Sequence, residues 1–193
     1  DMFRNATSFN QSLNDRNVSV VSNMSHMFSG ARSFNQQLKK WDVHNVTDFS
    51  YMFAGAEKYA DKSGLVIWNS LASWDVSKAV NMEGMFQNTP FNTNIGNWNV
   101  SNVTNMKSMF DEAREFNQSL NSWNVGKVTD MSNMFVFAEK FNGKIDAWNV
   151  SAVTNMAHMF SGAYAFNQNI NNWNVGKVTN MEGMFEYALA FNQ

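Results

Sequence analysis

Apolar and polar positions repeat along this chain with a period close to 25 residues, and a Met-Phe pair marks the same point of each period. The pairs begin at Met2, Met27, Met52, Met85, Met109, Met134, Met159 and Met184. Self-similarity at an interval of about 20 to 50 residues is typical of stacked repeats, in which each unit buries its apolar face against its neighbours. We therefore expect a repeat protein whose core continues from unit to unit.

Two different periodicities occupy one repeat, which is clearest over residues 116–141. Apolar and polar residues alternate around Trp123 and Val125, as they do in a half-buried strand. From Val128 onward the apolar residues recur mainly at every third position, which is typical of the buried stripe of a short helix. The sequence therefore predicts an α/β fold, a right-handed solenoid shaped as a horseshoe, with one short strand and one short helix per repeat.

Residues at both ends of the predicted helix support this interpretation. Thr, Asn and Asp side chains can accept hydrogen bonds from the free amides of a first helical turn. Such residues precede the Met-x-x-Met-Phe segments at Thr104-Asn105, Thr129-Asp130, Thr154-Asn155 and Thr179-Asn180. Glycines at Gly30, Gly55 and Gly162 occupy the position of a helix stop or a tight turn.

The full repeat has the form L/I-x-x-W-x-V-x-x-V-x-x-M-x-x-M-F-x-x-A-x-x-F-N-Q, and residues 98–110 are a specific copy of its central part. This pattern resembles the leucine-rich repeats of BspA-like bacterial surface proteins, in particular the Met-Phe-rich branch common in mycoplasma surface lipoproteins. The resemblance covers the whole chain. It implies an α/β horseshoe, an extracellular or cell-surface location, and adhesion to host or matrix proteins, and it carries over no catalytic residues.

One position departs from the usual leucine-rich pattern, which places an asparagine after the strand. This chain has valine there, at Val103, Val128, Val153 and Val178. We expect the stacked asparagine to come instead from the Phe-Asn element, at Asn10, Asn35, Asn92, Asn117, Asn142, Asn167 and Asn192.

Residues 1–193 are predicted to form a single repeat domain of about seven to eight units. The first and last units are both cut in mid-repeat, so we expect a part of a longer array, or ends that abut another molecule. An insertion within residues 60–70 interrupts the period and contains the apolar run from Leu65 to Trp68. This run fits two roles, a cap over the edge of the core or an aromatic anchor for a partner at Trp68.

The residue after the tryptophan position points outward in the predicted strand and recurs in every repeat. This column consists of Asn17, Asp42, Asp75, Asn99, Asn124, Asn149 and Asn174. Since parallel strands stack about 4.8 Å apart, these side chains form a ladder, which we predict to be the ligand-binding face together with His44 and the inserted Trp68. Asp42 and Asp75 would be neighbours in it. Such a pair is either a solvated patch of like charge or a pair that shares a proton or holds a cation such as Ca²⁺.

Composition excludes several other functions. The net charge is −2 with acidic and basic residues interspersed, so nucleic acid is not an expected partner. No apolar run approaches the roughly 18 to 20 residues that a membrane span requires. The 14 methionines fall at two inward-facing positions and are expected to fill the core. The histidines are too scattered for a metal cluster and no nucleophile or phosphate-loop motif is present, so we predict no catalytic residue, no metal and no cofactor.

These observations predict a non-enzymatic cell-surface recognition and adhesion module that binds a host or matrix protein, or a glycan, through the predicted strand face. The alternative is a structural protein whose uncapped ends associate end to end into a fibre or an envelope layer. Ice or mineral binding by a regular array is a weaker third hypothesis, because the outward column is rich in asparagine and interrupted by two aspartates.

Overall fold

The computed structural model describes residues 1–56 and 70–193, and in these residues the chain forms coils that stack on one another, one coil per sequence repeat. Isolated parallel bridges connect each coil to the next at one equivalent position. The bridged residues are, in order along the stack, Asn23, Asp48, Asn81, Asn105, Asp130, Asn155 and Asn180. The period of the sequence is therefore the period of the stack.

The predicted α/β solenoid with a strand and a helix in each repeat is wrong. Within the described residues, α-helix is confined to residues 70–71, and the only strand-like pairing consists of the isolated bridges. The rest of each coil is built from turns and extended segments. The predicted horseshoe required a strand and a helix in each repeat, and the described residues do not contain them.

A ladder of turns takes the place of the predicted helix in the Met-x-x-Met-Phe segment. In residues 131–138, every second backbone N–H group donates to the next coil. The intervening N–H groups of Met134, Val136 and Ala138 donate three residues back within their own coil, and that of Ser132 donates to Asp130 Oδ1. The bonds to the next coil join the amides of Met131, Asn133, Phe135 and Phe137 to the carbonyls of Asn155, Ala157, Met159 and Ser161, at 2.8–3.0 Å. The N–H groups are thus satisfied without a helix, which would direct them all into their own coil.

Left-handed residues recur at two fixed positions of this ladder in successive coils. Two residues per coil have positive φ, four positions apart, as at Asn133 (57°) and Phe137 (48°). A right-handed helix cannot hold a left-handed residue at every fourth position. Gly30, Gly55 and Gly162 have φ of 67–69° and occupy the second of these positions. They are therefore left-handed turn residues and not helix stops.

The aromatic core explains why no helix fits. The phenylalanine of each Met-Phe pair stacks on its equivalent in the next coil, and ring centroids along this column are 5.5–6.1 Å apart. Packed helices need about 8–10 Å between their axes. A helix in every repeat would therefore separate the rings and open the core.

The tryptophans of successive coils also form a column, although it does not lie on a strand. Trp123 and Trp148 stack with centroids 6.5 Å apart, and Trp148 and Trp173 with centroids 6.1 Å apart. Each indole also donates a hydrogen bond to a carbonyl of the preceding coil, for example from Trp148 Nε1 to the oxygen of Leu120 at 2.8 Å. The backbone N–H of Trp123 closes a turn onto Leu120, at 3.0 Å, instead of pairing with a neighbouring strand.

The asparagine ladder expected in the Phe-Asn element is confirmed. In five pairs, the side-chain oxygen of one asparagine accepts the backbone N–H of its equivalent in the next coil at 2.8–3.0 Å. These pairs are Asn10 with Asn35, Asn92 with Asn117, Asn117 with Asn142, Asn142 with Asn167, and Asn167 with Asn192. Asparagine serves here because its side-chain oxygen can reach a backbone amide that the turns leave free.

The residues predicted as helix caps have other partners. Asp130 caps a turn, since its Oδ1 accepts the N–H of Ser132 at 2.8 Å. Thr129 bonds to the preceding coil, with its Oγ1 donating to the carbonyl of Thr104 at 3.2 Å. The methionines fill the core of the inner coils as predicted, whereas Met2 and Met181 are exposed.

Candidate functional site

The residues that follow the tryptophan position form an exposed column along the stack, which we call the amide column. Its members are Asn17, Asp42, Asp75, Asn99, Asn124, Asn149 and Asn174, and all seven are exposed. From Asp42 to Asn149, the neighbours on either side of each member are buried. Trp123 and Val125, for example, are 3% and 1% exposed around Asn124. The alternation of buried and exposed residues that the sequence predicted is therefore correct, even though the strand is absent.

Each member of the amide column closes the same local turn. Its side-chain oxygen accepts the backbone N–H two residues later, at 3.0–3.3 Å. In an asparagine this contact fixes the carboxamide oxygen and leaves the Nδ2 group as the outward donor. Within the described part of the chain, the Nδ2 groups of Asn99, Asn124, Asn149 and Asn174 donate no hydrogen bond, so they remain available to a ligand.

Two turns flank the column in every coil. In the coil of Asn124, one turn spans residues 120–123 and the other spans residues 125–128, each closed by an N–H to a carbonyl three residues back. Ser122 and Lys127 are exposed at the tips of these turns. A ligand lying along the amide column would therefore meet the turn tips on both sides.

A lysine stands at the second turn tip in alternate coils, at Lys78, Lys127 and Lys177. Lys127 Nζ donates to Asn102 Oδ1 of the preceding coil at 2.7 Å, and Asn102 Nδ2 donates to the carbonyl of Ser77 at 2.9 Å. Lys78 and Asn45 make the same arrangement. The sequence analysis did not include Lys127 and Lys177 in the binding face. The sequence feature that marks these lysines is a Val-x-Lys-Ala or Val-x-Lys-Val segment in every second repeat.

Asp42, His44 and Asp75 form the acidic end of the amide column. Asp42 Oδ1 lies 2.6 Å from His44 Nδ1, and hydrogen bonds from the side chain and backbone of His44 lower the pKa of Asp42. The side-chain and backbone hydrogen bonds of Ser77 lower the pKa of Asp75, and the nearby Asp42 charge opposes this. Both carboxylates are therefore ionised at neutral pH, which argues against a shared proton.

Metal binding has no support at this end of the column. In the residues described, no group of three or more His, Cys, Asp or Glu side chains could hold a metal ion.

Trp68 and the insertion up to residue 69 lie outside the described residues. The structure thus brings the other eight predicted site residues to one side of the stack.

Asp111 is a partly buried carboxyl outside this face, and its pKa provides a test of the electrostatics. Burial raises the pKa of Asp111, and a hydrogen bond from Gln87 Nε2, at 2.8 Å, partly opposes that rise. The folded state therefore binds a proton more tightly than the unfolded chain, and its stability falls as pH rises through the window above the unfolded pKa of about 3.9.

The substitution Asp111→Asn is expected to raise the melting temperature at neutral pH, because an amide keeps the contact with Gln87 without burying a charge. The gain should shrink as pH falls toward about 4, where the wild-type carboxyl becomes protonated. Thermal unfolding followed by circular dichroism across this pH range measures the effect. A gain that does not change with pH would show that the charge of Asp111 is not its cause.

Comparison with known families gives three overlapping matches. The family model described as "Mycoplasma protein of unknown function, DUF285" matches residues 1–70, 62–150 and 119–193, which together span the whole chain. No curated protein matches this chain. Within residues 1–56 and 70–193, no helix is both long and apolar enough to span a lipid bilayer.

Proposed function

This chain belongs to the DUF285 family of mycoplasma proteins, and we propose that it is a non-enzymatic recognition module that binds an extended ligand along the amide column. The observation that carries the proposal is the row of outward Nδ2 donors at Asn99, Asn124, Asn149 and Asn174, each held by the same turn. Such a row offers the same contact at a regular interval.

The rigidity of the column favours binding. Each carboxamide oxygen is already bonded to a backbone amide, so the donor is oriented before a ligand arrives. Less side-chain freedom is then lost on binding, and preorganisation of this kind increases affinity. Several equivalent weak contacts along one ligand can raise the overall affinity by about 10²–10⁴ over one contact. An open array of this kind suits a polymer better than a small molecule.

We place the module at the cell surface, with a host or matrix protein or a glycan as its partner. The support is the resemblance of the repeat to BspA-like surface proteins and the mycoplasma family to which the chain belongs. Surface polymers of this kind are long enough to follow several coils.

Replacing the donors without disturbing the turns tests the proposal. In the double substitution Asn124→Asp and Asn149→Asp, the carboxylate can still close the turn, as Asp42 and Asp75 do in the same column. The outward donor is lost. Once a ligand has been found on an array of matrix proteins and glycans, we expect the variant to bind it about 5- to 100-fold more weakly by biolayer interferometry.

The single variant Asn155→Asp is the matched control, compared with Asn149→Asp alone. Asn155 lies in the same coil, its Oδ1 also accepts an N–H two residues later, and aspartate occupies its column at Asp48 and Asp130. It carries the same charge change outside the amide column, at the column of parallel bridges, so its affinity should stay close to that of the wild type. Equal binding by the wild type and the amide-column variants would remove the column as the site.

Self-association is the second candidate, and apolar surface at the two ends of the stack favours it. An apolar cavity of about 540 Å³ opens beside Phe3, Phe9 and Trp41. At the other end, Tyr187 and Leu189 are 64% and 77% exposed. Sedimentation and electron microscopy at increasing protein concentration separate the two functions. A recognition module keeps its size on dilution, whereas an end-to-end assembly lengthens with concentration.

A further inference from the structure

We infer that the ligand of the amide column is a linear anionic polysaccharide of low charge density, bound over residues 99–179 with Lys127 and Lys177 as its cationic contacts. The inference rests on the proposed function and adds the chemical class of the ligand. Its basis is the combination of outward amide donors with lysines that recur at every second coil on the same side of the stack.

The spacing of the lysines suits a polymer with regularly placed charges. Lys127 and Lys177 occupy the same turn position two coils apart. Successive coils lie about 4.8 Å apart at their parallel bridges, and the ring centroids of successive tryptophans next to the amide column are 6.1–6.5 Å apart. A sugar ring in an extended chain has a similar length. A polysaccharide with one acidic group in every second sugar can therefore place an anion near each lysine and sugar hydroxyl groups near the asparagines between them.

The ammonium group of Lys127 is positioned before a ligand binds. Asn102 holds it through the 2.7 Å bond to Oδ1, and that amide is itself oriented by its bond to the carbonyl of Ser77. An ammonium has three donors, so two remain for an anion. Fixing a lysine side chain in one rotamer costs conformational entropy, and the bond to Asn102 already fixes Lys127 in the unbound protein.

Charge along the column limits the site to its second half. Within residues 99–179, the amide column and the turns that follow it contain no carboxylate, whereas the first half of the column carries Asp42 and Asp75. The turns that precede the column contain one acid in this region, Asp146. An anionic chain should therefore be attracted to residues 99–179, repelled from the acidic end, and weakly opposed by Asp146.

Other polyanions fit these features less well. Single-stranded nucleic acids bind through aromatic side chains that stack on bases, and the tryptophans next to the column are 3–8% exposed. Two or three lysines on a chain of net charge −2 cannot neutralise a polymer with a charge on every unit. The row of amide donors suits the hydroxyl and carboxylate oxygens of sugars. An acidic peptide remains as a competing outcome of the test.

The experiment uses decasaccharides of hyaluronan and of unsulfated chondroitin, each with one carboxylate in every second sugar, and hyaluronan whose carboxylates have been reduced to alcohols as the neutral counterpart. We expect the full chain to bind at least one acidic decasaccharide and to bind the neutral one about tenfold more weakly. The double variant Lys127→Gln, Lys177→Gln should lose about tenfold in affinity for the acidic sugar and none for the neutral one. Rising salt should weaken the wild type more than this variant.

Two single variants complete the design. Asp146→Asn should increase affinity for the acidic sugar, because it removes the opposing charge. Lys140→Gln is the matched control, since Lys140 lies about half a coil away and pairs with Glu115 at 2.6 Å. It should bind as the wild type does. Circular dichroism of each variant checks that the stack is intact.

The inference is overturned if no acidic decasaccharide binds, if the neutral sugar binds as tightly, or if the lysine double variant equals the wild type. It is also overturned if a poly-glutamate peptide of equal charge binds with the same affinity. In each case the proposed recognition function still stands when the amide-column variants weaken binding to some other ligand, and it fails only when they do not.

Discussion

Replacing Phe135 with alanine is expected to lower the free energy of unfolding by about 3–5 kcal/mol, the largest effect we predict for one side chain. Phe135 is fully buried, and its ring lies 5.5 Å from that of Phe110, 5.6 Å from that of Phe160 and 3.9 Å from that of Phe141. Its removal leaves a cavity at the junction of two aromatic columns. The coils on both sides are held by bonds from the same segment, so they cannot close over it without distortion. Urea unfolding at equilibrium measures the loss.

Phe137→Ala is the control for this prediction. Phe137 lies two residues later in the same coil, but its side chain is 36% exposed and lies over Gly162 at the surface. We expect a cost of about 1 kcal/mol, well below that of Phe135→Ala. Similar costs for the two substitutions would mean that the aromatic columns do not hold the stack together.

Gly143→Ala is expected to destabilise the protein by about 3 kcal/mol, for the opposite reason. A Cβ atom on Gly143 would lie 2.0 Å from the carbonyl oxygen of Gln118 and 2.7 Å from its carbonyl carbon. Both atoms belong to the backbone of the preceding coil, so relief requires the two coils to move apart, and overpacking of this kind is costly. A lower melting temperature in thermal unfolding is the expected result.

Gly126→Ala provides the matched comparison. The nearest atom to a Cβ there is the side-chain oxygen of Asn124, at 3.2 Å, and serine occupies the equivalent position at Ser101 and Ser151. We expect its stability to stay within about 0.5 kcal/mol of the wild type. If both glycine substitutions had the same small effect, the coils near Gly143 would have to be less closely packed than the structure shows.

Part of the candidate site could be predicted from the sequence, and part could not. The alternation of Trp123, Asn124 and Val125 predicted correctly that the asparagine is exposed, because burying one large side chain on each side of a polar residue orients it outward in a strand and in linked turns alike. Lys127 was missed as part of the face. Its position depends on Asn102, which is 25 residues earlier and becomes its neighbour only when the coils stack.

The mistaken helix has an equally specific origin. A turn closed between residues i and i+3 brings those two residues to the same side, so Met131 and Met134 have the spacing of a helical stripe without forming one. A signal against the helix was present. The two left-handed positions of the ladder lie four residues apart, and glycine or asparagine is common at both. At the second position these residues include Gly30, Gly55, Asn88 and Gly162.

The repeat length and the choice of apolar residues were sufficient to establish that equivalent residues stack, since a single 25-residue unit has too little apolar surface to fold alone. The backbone conformation within each coil depended on the neighbouring coils. An amide such as that of Phe135 can bond within its own segment or to the next coil, and the local sequence allows both. Stacking of phenylalanine rings at 5.5–6.1 Å brings the next coil close enough to accept these bonds and leaves no room for a helix, so the ladder of turns forms.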